Sequence, residues 1–113
     1  MISIRYTVRE YILINGASPY RGWLETLSPP VTARIQARVF RVEQGNLGDT
    51  KPVGHGVYEL RLAFGPGYRI YFGFDRRKAI ILLVGGSKSR QKSDITRARR
   101  YWIDYQSRRD NGE

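Results

Sequence analysis

The sequence predicts an α+β fold: one domain in which an antiparallel-dominated sheet carries helices, in the order β-α-α-β-β-β-α. Three observations predict it. Apolar and polar residues alternate over 2–8 and again over 57–74, which is the period of a half-buried strand. Apolar residues recur at spacings of three and four over 31–42 and over 95–105, which is the period of a helix lying on a core. Gly, Pro and Asn punctuate the chain between these stretches, where turns are required. A length of 113 residues suits one core and is short for two, so residues 1–113 read as one domain.

Each element has its own signal. In the first strand Ile2, Ile4, Tyr6 and Val8 share one face, with Ser3, Arg5 and Thr7 on the other. The apolar segment Tyr11 to Ile14 carries this strand to residue 14, and Asn15-Gly16 turns the chain. Ser18 is placed to cap a short helix with Pro19 at its first position, where the missing N–H costs nothing. Trp23, Leu24 and Leu27 give that helix an apolar side, and Ser28-Pro29-Pro30 reads as its end.

A second helix follows over 31–44. Its stripe is Val31, Ile35, Val39 and Val42, flanked by the basic Arg34, Arg38 and Arg41. Gly45 suits the left-handed position after a helix. The two helices, within 18–44, are expected to form a hairpin. Residues 45–56 read as loop. A three-stranded meander is expected over 57–84, with Gly65-Pro66-Gly67 and Asp75-Arg76-Arg77-Lys78 as its turns. The run Ala79 to Val84 is apolar on both faces, as in a strand covered from two sides. Gly85-Gly86 ends it. A last helix over 91–107 presents Ile95, Ala98, Trp102 and Tyr105 to the core.

Composition narrows the chemistry. Twenty Lys and Arg against 10 Asp and Glu give a net charge of +10, which points to a polyanionic partner. No cysteine is present, so disulfides, thiolate zinc sites and cysteine nucleophiles are excluded. The one histidine, His55, rules out a multi-histidine metal site and a two-histidine acid/base pair. The N-terminal stretch is interrupted by Arg5, Arg9 and Glu10 and reads as neither signal peptide nor membrane span. The expectation is a cytoplasmic protein that needs no metal or cofactor.

Candidate site residues cluster late in the chain. Eight cations lie between Lys88 and Arg109, among them Arg90, Lys92 and Arg99, with Tyr101 and Tyr105 interleaved. Basic side chains bind phosphate and exposed rings stack on unpaired bases; a solvated helix face accounts for most such arginines equally well. Trp102 reads as core. On the strands, Glu59 and Arg61 share one face, and Arg69 follows Tyr68 on the next strand. Two readings stand: Arg61 and Arg69 clamp a phosphate bidentately, or Glu59 pairs with them and no ligand is involved. The segment Gly85-Gly86-Ser87-Lys88-Ser89-Arg90 joins a strand to a helix without the spacing of a Walker A loop. His55, between two glycines, is either a proton donor or acceptor or simply exposed.

Four segments taken together resemble a known family. They are Gly45-Asn46-Leu47-Gly48-Asp49; Val53 to Arg61; Gly65-Pro66-Gly67-Tyr68-Arg69-Ile70-Tyr71-Phe72; and Leu82 to Ile95. In this order they resemble the addiction-module killer-protein group of the RelE/ParE toxin superfamily, close to the HigB-like toxins. The resemblance implies the RelE-like fold and the toxin of a type II toxin–antitoxin pair. It implies a ribosome-dependent endonuclease that cuts translated mRNA in the ribosomal A site by metal-independent attack of the ribose 2′-hydroxyl. The superfamily also contains ParE-like inhibitors of DNA gyrase, which do no chemistry, and an inactive nucleic-acid-binding remnant is a further alternative.

By position, the resemblance gives Arg61 and Arg69 as the phosphate clamp. It makes Lys88 a third cation or proton donor and Glu59 a base. Lys51, His55, Tyr68, Arg90, Lys92 and Arg99 are expected to touch RNA. RelE places a tyrosine near its C-terminal helix, where this chain reads Lys92-Ser93-Asp94-Ile95. The implied partner is an antitoxin, of the helix-turn-helix kind, encoded alongside.

Overall fold

The computed structural model describes residues 5–112. In chain order the elements are β1 (Thr7–Glu10), α1 (Pro19–Leu24), α2 (Pro29–Glu43), β2 (Thr50–Gly54), β3 (Val57–Arg61), β4 (Tyr68–Asp75), β5 (Ala79–Ser87) and α3 (Gln91–Asp110). A single 3₁₀ turn, Lys88–Arg90, leads into α3. The five strands form one sheet in the order β1-β5-β4-β3-β2. β1 runs parallel to β5, and the other three pairings are antiparallel. The class is α+β in one domain, with a mixed sheet.

Three sequence expectations are corrected. First, part of the 45–56 loop is a strand: β2 pairs with β3, Lys51 opposite Glu59 and Pro52 opposite Tyr58. Pro52 and Gly54 hid it, yet both are admissible on an edge strand, where a proline leaves no ladder bond unmade. Second, β1 stops at Glu10 rather than at residue 14. The Tyr11 N–H still bonds to the Leu82 carbonyl, but the Tyr11 ring then stacks on Tyr101 and leaves the strand direction. Ile2 and Ile4, placed on the same strand, lie outside the described residues. Third, Ser28-Pro29-Pro30 opens α2 instead of closing α1. Ser18 does cap α1, its hydroxyl accepting from the Arg21 N–H at 3.0 Å.

Helices cover both faces of the sheet. On one face α1 and α2 bring Tyr20, Leu24, Ile35 and Val42 onto Leu60, Ile70, Phe72, Ile80 and Leu82. On the other, α3 brings Ala98 and Trp102 onto Val57, Tyr71, Ile81 and Leu83. Burying each large apolar side chain contributes roughly 1.5–3 kcal/mol, so these two clusters supply most of the driving force. Trp102 lies flat over Gly73: a Cβ there would come within 2.7 Å of the indole. The β5 side chains are buried on both faces, Ile80 and Leu82 one way, Ile81 and Leu83 the other. Among the described residues no helix is long and apolar enough to cross a membrane.

Candidate nucleic-acid interface

The strand register brings the expected clamp together. Arg61 on β3 is paired with Arg69 on β4, which is paired with Gly86 on β5. One step along, Lys51, Glu59, Tyr71 and Val84 form the next row across four strands. Paired residues of a sheet point to the same face, here the face that carries α3. Trp102 and Ala98 fill that face further along. The first turn of α3 overhangs the two charged rows and leaves one corner open.

Glu59 is the centre of the group. It is fully buried, and a buried carboxylate is costly unless paired and hydrogen-bonded. Both oxygens are engaged: Oε1 accepts from Arg61 Nε at 2.9 Å, while Oε2 accepts from Gln91 Nε2 at 2.8 Å and from the Tyr71 hydroxyl at 3.1 Å. Arg69 Nε stands 3.5 Å from Oε2. Burial alone would raise the Glu59 carboxyl, but donors from Arg61, Gln91 and Tyr71 and the charge of Arg69 outweigh it and hold it below its ordinary value. The Tyr71 hydroxyl is pushed well up, by burial first and then by the Glu59 charge. It stays protonated and donates.

The two arginines differ in access. The Arg61 side chain is 35% exposed; the Arg69 residue is 7% exposed and its Nη1 is tied to the Gly67 carbonyl at 2.7 Å. The Glu59 pairing and the arginine pair are therefore parts of one arrangement, with Arg61 at its wet end. One carboxylate against two guanidiniums leaves a positive excess. Lys88 is exposed on the turn after β5, and its N–H bonds to the Pro66 carbonyl. A Cβ on Gly67 would lie 3.1 Å from Arg69 Nη1 and 3.3 Å from Lys88 Cβ, so the Gly65–Gly67 turn carries Lys88 beside Arg69.

The other expected residues scatter. Lys51 is exposed on β2, in the Glu59 row. Arg90 and Lys92 are exposed at the start of α3. His55 is exposed at the β2–β3 turn with φ 57°, a left-handed conformation that histidine tolerates better than most residues. Tyr68 is half-buried on the opposite face, against Trp23 and Phe64. Arg99 is half-buried and donates to the Val53 carbonyl, tying α3 to β2. Tyr101 and Tyr105 are not free platforms: the first stacks on Tyr11, and the second stacks on Trp102 and donates to Asp75. Arg38 is buried rather than part of a basic flank, donating to the Asn46 and Leu47 carbonyls.

Three members of the group were not singled out from sequence. Tyr71 shares a face with Arg69 by simple alternation, so its position was readable although its bond was not. Gln91 and Asp94 sit one helical turn apart, but only the docking of α3 aims Gln91 at Glu59. Asp94 is 1% exposed and lies over Gly86, where any Cβ would strike its carboxylate. Arg97 reaches one oxygen at 3.5 Å, while Oδ2 has no hydrogen-bond partner among the described residues. Burial raises its pKa despite the charges of Arg97 and Arg90.

Such an arrangement can hold a phosphate with fixed cations; its buried acid is committed to positioning them. Comparison with known proteins agrees on kinship. The sequence profile of the family described as phage-derived protein Gp49-like (DUF891) matches residues 22–101. An uncharacterized protein of Haemophilus influenzae is 40% identical over 89 residues, covering 78% of this chain and 90% of the relative. The matched span runs from within α1 to the middle of α3 and takes in every strand of the charged rows. The chain therefore belongs to the phage-derived Gp49-like family (DUF891), a RelE-type toxin-like family associated with toxin–antitoxin systems.

Proposed function

We propose that the protein is a toxin of the HigB-like kind, acting as a ribosome-dependent mRNA endonuclease held in check by a cognate antitoxin. The observation that carries this reading is the pairing of Arg61 with Arg69 across β3 and β4, Arg61 hydrogen-bonded to buried Glu59 and Arg69 within 3.5 Å of the same carboxylate. Cutting RNA by attack of the 2′-hydroxyl builds negative charge on a pentacoordinate phosphate. Preorganised cations stabilise that charge without reorganising as it develops. Arg61 is the cation that meets the phosphate, and Arg69 sets the electrostatic floor behind it. The attack forms the O2′–P bond and breaks P–O5′: the 2′-hydroxyl gives its proton to water, and Lys88, the second exposed cation, is the group able to protonate the leaving 5′-oxygen. Glu59 is a positioning residue rather than a base, because its oxygens already accept from three donors. Lys51, Arg90 and Lys92 extend the basic surface along which the RNA backbone lies.

The test is primer extension on a reporter transcript after brief induction, with and without the reporter's start codon. Codon-phased cuts that disappear without translation are the expected result. Arg61→Ala, a change at a partly exposed position, is expected to reduce cutting by about 10²–10³-fold, the usual loss when one preorganised donor is removed. Undiminished cutting by this variant would overturn the clamp. Growth arrest with intact transcripts would overturn the nuclease and move the target to gyrase.

A further inference from the structure

Arg61 borders a second cleft besides the Glu59 corner. It lies between α2 and the end of β3, has a volume of about 390 Å³, and counts Arg34, Arg38, Arg41, Asp49 and Phe64 among its lining. That volume suits a small ligand. Arg34, Arg38 and Arg41 follow at spacings of four and three, so they share one face of α2, where like charges repel. Among the described residues none of the three pairs with a carboxylate, and Asp49 pairs with no cation. The cleft is nonetheless firmly built. Arg38 is buried and donates to the Asn46 and Leu47 carbonyls, which pins the loop before β2 onto α2. The Arg61 N–H donates to the Asp49 carbonyl at 2.9 Å, which pins the same loop onto β3. Asp49 therefore presents an exposed carboxylate from a fixed backbone. The Arg34 guanidinium lies over the Phe64 ring, 3.8 Å from its centroid. Arg34 is exposed, so the other face of its plane is open.

We infer that this cleft takes a guanine nucleotide, with the base stacked on the Arg34 plane, its Watson–Crick edge on Asp49 and its phosphate toward Arg41 and Arg61. Taking that nucleotide to be a residue of the mRNA rests on the nuclease reading above. The mixed charge of the cleft selects the ligand. A plain anion is served by the arginines and repelled by Asp49, so it leaves the carboxylate unexplained. A nucleotide carries both an anion and a donor edge. Guanine is the RNA base that offers a carboxylate two adjacent donors, N1–H and N2–H, to match its two oxygens. The open face of a guanidinium already backed by a ring is a platform for a flat base. Because Arg61 borders both the cleft and the Glu59 corner, a base seated here belongs to the nucleotide at the clamped phosphate, which makes Asp49 a specificity-determining residue.

The experiment uses the full chain and two 2′-O-methyl pentanucleotides, which cannot be cut: all uridine, and uridine with one central guanine. Affinities and residue-by-residue amide shifts are measured for both. The guanine probe is expected to bind about tenfold more tightly, the low end for a bidentate base contact, and to shift the amides of Asn46–Asp49 and Phe64. Asp49→Asn is the decisive variant, at an exposed position. If Asp49 acts only through its charge, removing it raises the affinity of both probes and keeps their ratio. The proposal expects the ratio to collapse. Arg34→Lys keeps the charge and loses the plane; it should weaken both probes at least about fivefold, because stacking tolerates any base. Equal binding of the two probes overturns the proposal, as does a ratio that survives Asp49→Asn. Guanosine 5′-monophosphate is titrated alongside. If it shifts the same amides and the guanine pentanucleotide does not, the guanine site stands and its assignment to RNA is overturned. Because the probes are uncleavable and no ribosome is present, a failed nuclease reading and a failed guanine site give different results.

Discussion

Glu59 and Asp94 are both buried carboxylates on the α3 face, and their surroundings drive them in opposite directions. Glu59 is satisfied, so removing its charge leaves two guanidiniums uncompensated. Glu59→Gln is expected to cost about 3 kcal/mol, the low end for breaking a buried pair, since the amide still accepts one bond; urea unfolding measures it. The pH dependence has a definite sign. A carboxyl held below its ordinary value of 4.5 stabilises the fold fully above that value and loses the contribution as pH falls through its lower folded value. In Glu59→Gln the acid-side decline should be shallower than in the parent. Asp94 has an unpartnered oxygen and a raised pKa, so its ionised form is penalised at neutral pH and the penalty is relieved as pH falls. Asp94→Asn should therefore leave neutral-pH stability unchanged or raise it by up to about 1 kcal/mol, although Arg97 loses an ion pair. A clear loss of stability in Asp94→Asn at neutral pH would show that Asp94 has a partner after all.

At the scale of elements, α3 is the part that assembles the candidate site. One end meets Glu59 through Gln91, and the other meets Asp75 through Tyr105 and Arg109, with Trp102 on Gly73 between them. Arg99 adds a bond to β2 at the Val53 carbonyl. Arg99→Ala is expected to speed amide exchange in β2 while leaving β4 and β5 protected, because β2 is an edge strand with one neighbour. Elements with a strong period were legible in the sequence: the alternation of β3 and β4, the doubly apolar run of β5 and the stripe of α3. Their ends were less so, since β3 stops at Arg61 and β5 runs on through Gly85-Gly86, expected to end it, to Ser87; a glycine pair breaks the apolar pattern without breaking the ladder. β2 was not, since its charged, proline-containing sequence reports solvent exposure rather than pairing. The Ser28-Pro29-Pro30 ambiguity has the same origin: serine and proline at a helix boundary serve a start or a stop, and the start wins because the Ile35 and Val42 stripe continues from it. Arg61 opposite Arg69 was legible as a shared face. The bond from Gln91 was not, because it depends on how α3 docks.

For the molecule as a whole, the net charge of +10 is distributed at both ends of the sheet. One end carries Lys51, Arg61, Lys88 and Lys92. The other carries Arg76, Arg77 and Lys78 on the β4–β5 hairpin, exposed beside Asp75. Charge count alone makes both ends equal candidates for an RNA surface. Each end has a buried carboxylate that holds a partly exposed arginine by a hydrogen bond, Asp75 with Arg109 at 2.7 Å at one and Glu59 with Arg61 at 2.9 Å at the other. Only at the Glu59 end does a second arginine, Arg69, stand opposite the first in the strand register. Salt dependence separates the two. Each phosphate neutralised on a single strand contributes roughly 0.7 to the slope of log affinity against log salt. Measured with oligouridylate, Arg61→Ala should lower that slope by about 0.7, one contact's worth, whereas Arg76→Ala should leave it unchanged. Equal effects from the two variants would mean that RNA meets the protein through diffuse charge, and the ordered corner around Glu59 would then need a ligand other than RNA.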